Sequence, residues 1–148
     1  MNTAVHDPYL DLPLDGLRLI EASAGTGKTF TLATLFTRLV VERGLRMGQI
    51  LAVTFTDAAT QELRKRIRER LDLAARLVGV APDASDTPET ALTHAVLQRH
   101  LDQGGESAAQ LGRRLRAAAE ETDLAAIFTI HGFCTRVLGE YALESGHT

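Results

Sequence analysis

Nine residues, Glu21-Ala22-Ser23-Ala24-Gly25-Thr26-Gly27-Lys28-Thr29, constrain this chain more than any other stretch. An apolar run, Leu17 to Ile20, precedes them, and a helical pattern opens at Lys28. Strand, Gly-rich loop and helix in that order are the setting of a phosphate-binding loop. Gly25 and Gly27 let the backbone turn tightly and leave no Cβ between its N–H groups and an anion. Several of those N–H groups are the unpaired donors of a helix start, where the dipole also favours negative charge. Lys28 adds a full positive charge for β- and γ-phosphates, and Thr29 puts a hydroxyl where a nucleotide-bound Mg²⁺ sits. The predicted nucleotide-binding set is Ala22, Ser23, Ala24, Gly25, Thr26, Gly27, Lys28, Thr29 and Phe30, with Lys28 and Thr29 in the catalytic roles. One departure shows: the pattern usually begins with Gly, and Ala22 stands there.

The rest of the composition sets bounds. A chain of 148 residues, 45% of them hydrophobic, suits one globular domain with a real core. No run of about 18 apolar residues suggests a membrane span, and the start Met1-Asn2-Thr3-Ala4-Val5-His6-Asp7 does not read as a secretory signal. Cys134 is the sole cysteine, which excludes an internal disulfide and a Cys-rich zinc site and makes a reducing, cytoplasmic setting the expectation. The net charge of −3 does not by itself suggest a nucleic-acid binder, so any basic surface must be local.

Residues 1–16 read as an irregular lead-in and Leu17 to Ala22 as a buried first strand. The helix after the loop carries Leu32, Leu35, Phe36, Leu39 and Val40 as one apolar stripe, with Gly44 as terminator. Ile50 to Phe55 is a second strand, and β-loop-α-β favours a parallel sheet. Thr56 or Asp57 caps a long helix to about Val78, buried along Ala59, Leu63, Ile67, Leu71, Ala74 and Val78. Its other side holds Arg64, Lys65, Arg66, Arg68, Arg70 and Arg76 against Glu69 and Asp72, a local net charge of +4. That run is either a solvated face with i,i+4 pairs or a surface that tracks phosphates. Residues 79–87 form a loop, Thr87-Pro88-Glu89 opens a helix to about Asp102, and another helix covers roughly 107–121. His94 and His100 read as surface or boundary residues rather than metal ligands. Leu124 to Thr129 is a third strand, and a last helix follows with the stripe Phe133, Val137, Leu138, Tyr141 and Ala142.

A hydrolytic P-loop site also needs an acid at the end of a core strand to hold Mg²⁺ and help activate water. Asp57 follows one strand but sits where a helix cap explains it, and the nearest carboxylate after Thr129 is Glu140. The cradle is present without the part that completes hydrolysis.

Three segments together carry a family resemblance. Ala24-Gly25-Thr26-Gly27-Lys28-Thr29 resembles the first motif of superfamily 1 helicases. Val53-Thr54-Phe55-Thr56-Asp57-Ala58-Ala59, continuing through Glu62-Leu63-Arg64-Lys65-Arg66-Ile67, resembles motif Ia of the UvrD-like branch, and Phe128-Thr129-Ile130-His131-Gly132-Phe133-Cys134 resembles motif Ib. Within that branch the phrases Leu19 to Phe30 and Ala126 to Cys134 are most similar to exodeoxyribonuclease V beta subunits. The resemblance covers about residues 17–145.

It implies an α/β fold: residues 17–148 as part of a RecA-like P-loop NTPase domain, a truncated first motor domain with a helical insert at about 79–123. It also implies ATP and Mg²⁺ as cofactors, and a parent that is a 3′→5′ DNA translocase and helicase with a distant nuclease domain, acting in double-strand break repair. Single-stranded DNA and the other subunits of an exodeoxyribonuclease V complex are the implied partners. In such motors the Ia and Ib loops face single-stranded DNA, which makes Thr54, Phe55, Thr56, Arg64, Thr129, His131 and Gly132 the candidate DNA contacts. Phe133 belongs to the core. UvrD-like proteins usually carry a glutamine ahead of the P-loop that reads adenine; residues 1–24 hold none. Two other readings stand beside this one. The chain could be a self-contained small P-loop kinase using Asp57, or a non-catalytic module whose basic helix docks an acidic partner.

Overall fold

Helix caps divide the chain into its elements. The computed structural model describes residues 26–144, with side chains over 29–139 apart from Arg136. The expected strand Leu17–Ala22, the loop front Ala22–Gly25, and the side chains of Thr26 and Lys28 lie outside the described residues. Helix α1 (Thr26–Arg43) begins two residues ahead of the predicted start, and Gly44, at φ +67°, ends it. Strand β1 (Leu51–Thr54) leads to α2 (Asp57–Leu77), whose N-cap Thr56 accepts a hydrogen bond from the Ala59 N–H at 3.0 Å. Thr87 caps α3 (Pro88–Asp102), with Pro88 at its start. A Ser107/Gln110 capping box opens α4 (Ala108–Glu120). Strand β2 (Ala126–Thr129) runs straight into α5 (Ile130–Glu144).

The described residues thus make an α/β arrangement with a two-stranded parallel sheet. β1 and β2 pair in parallel, from Leu51 opposite Ala126 to Thr54 opposite Thr129. The crossover between them carries α2, α3 and α4. Helix α2 is the hub: it packs on α1, α3, α4 and both strands, burying Leu63, Ile67, Leu71 and Ala74. Ala59 and Val78, expected on that side, are half-buried. No described helix is long and apolar enough to cross a membrane.

Tertiary packing departs from the single-face expectation at α1. Of its stripe, Leu32, Leu35, Phe36 and Val40 are buried and Leu39 is half-buried, but Thr34, Thr37 and Arg38 are buried too. The two hydroxyls donate back to the Phe30 and Ala33 carbonyls at 3.0 and 2.9 Å, and Arg38 pairs with Glu42 at 2.7 Å. These partners offset the cost of burying polar atoms on a helix flanked on several sides.

Four expectations need correction. Arg70, placed on the solvated side of α2, is 2% exposed. Leu124, expected in a strand, is exposed in a 3₁₀ turn over Thr122–Leu124, because the Thr122 hydroxyl donates to the Ala118 and Ala119 carbonyls and holds the chain curled. On α5, Val137 and Leu138 are exposed, while Phe133 turns inward against Phe128 with ring centroids 6.4 Å apart. His94 also differs from a surface residue: it is buried, with Asp86 3.5 Å away.

Candidate functional site

Parallel pairing in this register brings the carboxyl ends of β1 and β2 to the same edge, where open α/β sheets bind ligands. Each strand passes at once into a helix, so the N-termini of α2 and α5 stand at that edge too. One donor of each is closed by a threonine: Thr56 accepts from Ala59, and the Thr129 hydroxyl accepts from the Gly132 N–H at 3.0 Å. Gly132 permits this approach, since a Cβ there would meet the Thr129 hydroxyl at 3.1 Å. The other first-turn N–H groups have no intrahelical partner, and the two helix dipoles add positive potential. Exposed at the edge are Phe55, Thr56, Asp57, Ile130 and His131. The edge therefore offers backbone donors, two hydroxyl-bearing turns, an aromatic face and an imidazole.

The candidate DNA contacts separate into two groups. Phe55 (49% exposed), Thr56, Thr129, His131 and Gly132 lie together at the edge. Thr54 does not. It is 1% exposed, and its hydroxyl bonds with that of Thr60 and reaches the Thr56 carbonyl at 3.3 Å. Its side chain points into the sheet–α2 contact because alternate strand residues face opposite sides. Arg64 is half-buried and donates to the Thr122 and Ala125 carbonyls at 2.8 and 3.4 Å, clamping the turn that leads into β2. The basic run behind them is largely paired: Arg66 with Glu62 at 3.1 Å, and Arg68 with Asp123 at 3.3 Å. A solvated, ion-paired face describes it better than a phosphate track. Replacing Thr129 with valine is expected to cost about 1 kcal/mol through the lost cap, measurable as a lower thermal midpoint; an unchanged midpoint would contradict the role given to this hydroxyl.

The other candidate region is the start of α1, where Thr26, Gly27, Lys28 and Thr29 form the first turn. A helix N-terminus bearing a lysine and a threonine fits a nucleotide's phosphates and its Mg²⁺. Phe30, next in the chain, is half-buried, and the Arg70 guanidinium lies over its ring at 4.7 Å from the centroid. Arg70 also donates to the Thr34 hydroxyl at 2.7 Å and to Glu89 at 3.2 and 3.3 Å. Burial pushes the Arg70 pKa down, against the opposing pull of Glu89. Sequence reasoning missed this cluster. The available signal was the phase of Arg70, next to Leu71 and three residues after Ile67, on the border of the apolar stripe.

Comparison with known proteins bears on all three motif regions at once. The model of the UvrD/REP helicase N-terminal domain matches residues 2–148. The chain belongs to the UvrD/REP helicase family. Among its relatives are RecBCD enzyme subunit RecB of Escherichia coli K12, 44% identical over 148 residues (95% of this chain), and of Haemophilus influenzae, 42% over 147 residues (93%). The Mycobacterium tuberculosis RecB is 40% identical over 130 residues, 86% of this chain. The chain spans about an eighth of the length of these curated relatives, 11–12%. The matched range takes in both the sheet edge at 55–57 and 129–132 and the start of α1.

Proposed function

We propose that this chain is the ATP-binding front segment of an ATP-dependent DNA helicase and exonuclease subunit of the RecB kind, acting in double-strand break repair and recombination. Its domain is the first part of a RecA-like P-loop motor. Lys28 and Thr29, in the first turn of α1, would hold the β,γ-phosphates of ATP and its Mg²⁺, and the metal supplies Lewis-acid polarisation of the γ-phosphate when bound. The sheet edge carries single-stranded DNA: first-turn N–H groups and Thr56 take phosphates, while Phe55 and His131 present faces for bases. Neighbouring subunits of a RecBCD-type complex and a cytoplasmic setting follow from the same reading.

The observation that supports it is the Thr54–Thr129 register, which brings residues 55–57 and 130–132 to the carboxyl edge of the sheet, the kind of edge where open α/β sheets bind ligands. Asp57, exposed in the first turn of α2, is the carboxylate closest in sequence to either strand end, so the chain alone is expected to bind ATP with little or no turnover. The test is ATP binding and hydrolysis on the purified chain, with and without single-stranded DNA, beside Lys28→Ala. Binding at least about tenfold weaker in the variant, with no turnover above it, is the expected result. Equal binding by both proteins would overturn the reading. A phosphorylated small-molecule product that disappears in Asp57→Ala would favour a P-loop kinase.

A further inference from the structure

We propose that Arg70 is a positioning residue for the nucleotide loop: its buried guanidinium holds the first two turns of α1 and so fixes the turn that carries Lys28 and Thr29. This rests on the nucleotide-binding reading of that turn and extends it to a residue some forty positions further along the chain. The guanidinium meets Phe30 twice. Its Cζ lies over the Phe30 ring, 4.7 Å from the centroid, and its Nη1 donates to the Thr34 hydroxyl, which itself donates to the Phe30 carbonyl at 3.0 Å. Thr34 has one proton and two lone pairs, so both bonds can form together. Nε and Nη2 donate to the same Glu89 oxygen, which closes the cluster from the solvent side. The guanidinium thus holds the ring and the hydroxyl directly, and the carbonyl through the hydroxyl.

A side chain that only filled space here would not need this chemistry. Leucine would fill the volume and leave α1 free to turn about its axis. Lysine would keep the charge but lose the fork and the flat face, so it could not engage Phe30, Thr34 and Glu89 at once. Placement matters because Phe30 directly follows Thr29, and a phosphate site loses binding when its donors shift by a fraction of their bond length. Helix α2 also starts at the sheet edge with Thr56, so one rigid element touches both candidate binding regions.

The test is titration of the full chain with a fluorescent ATP analogue in Mg²⁺, with thermal midpoints measured on the same samples. Arg70→Lys and Phe30→Leu are expected to bind about fivefold more weakly while keeping the far-ultraviolet circular dichroism of the parent. Glu89→Gln, which keeps an acceptor, should bind within twofold of it. Lowered midpoints with unchanged nucleotide affinity in Arg70→Lys and Phe30→Leu would reduce Arg70 to a packing residue and overturn the proposal. If Arg70→Lys does not fold, Phe30→Leu and Thr34→Val decide by the same comparison. Absence of any Lys28-dependent binding in the parent would instead overturn the nucleotide reading itself, a result distinct from unchanged affinity in the Arg70 set.

Discussion

Replacing Ile67 with alanine is expected to lower the unfolding free energy by about 3–4 kcal/mol. Ile67 is fully buried on α2, which packs on α1, α3, α4 and both strands. Interiors are close-packed, so the lost atoms remove transfer free energy and leave a cavity that surrounding helices fill only in part. The same position as valine should cost about 1 kcal/mol, because a single methylene is lost. Urea unfolding followed by circular dichroism measures both. A loss under about 1 kcal/mol for the alanine variant would mean that α2 is not the centre of the core. Since the strand ends and Arg70 both hang on α2, this variant should also weaken binding at either candidate region.

Arg114→Met is the second large effect, at about 2–3 kcal/mol. Arg114 donates to both Glu106 oxygens at 2.7 and 2.6 Å, and to the Val40 and Val41 carbonyls at 2.6 and 3.2 Å. Those carbonyls belong to the last turn of α1, which has no intrahelical donors of its own. Removing the guanidinium strands them together with a carboxylate whose side chain is 16% exposed. The hydrogen bonds from Arg114 are the main cause that holds the Glu106 pKa down to about 2, with His100 helping and burial opposing. A depressed carboxylate pKa contributes stability above the unfolded value near 4.5, and that contribution is lost as pH falls toward about 2. The full shift would correspond to about 3 kcal/mol, and solvent screening through Arg114, whose side chain is 34% exposed, reduces it to about 1–2 kcal/mol. The stability gap between the parent and Glu106→Gln should therefore shrink as pH falls below about 4.5. A gap that does not change with pH would show that the pair is not the source.

The basic run of α2 shows how far charge patterning alone can lead. Six cations against two acids over residues 64–76 read equally as a solvated face or a phosphate track. Folding divides them by direction rather than by charge. Arg70 goes inward to Phe30, Thr34 and Glu89, and Arg64 closes the turn before β2. Arg66 and Arg68 find acids nearby. Besides these, the sheet edge offers an anion the backbone donors of two helix starts and the Thr56 hydroxyl.

Over the described residues, the sequence by itself determined the long helices, the two strands and their order, but not the 3₁₀ turn at Thr122–Leu124. Thr56, Thr87-Pro88 and Gly44 mark helix ends because capping and left-handed φ are local preferences of single residues. Period-3.6 and continuous apolar runs separated helices from strands for the same reason, and the motif phrases identified the family. Only the tertiary structure decided which polar side chains leave the surface. Thr54 and Arg70 sit in ordinary polar positions along the chain, yet one fills the contact between β1 and α2 and the other the contact among α1, α2 and α3. Their partners, Thr60, Thr34, Phe30 and Glu89, come from 6 to 40 positions away, a relation that no local pattern encodes. Burial of a polar group depends on whether distant residues arrive to satisfy it, and that depends on how the helices pack.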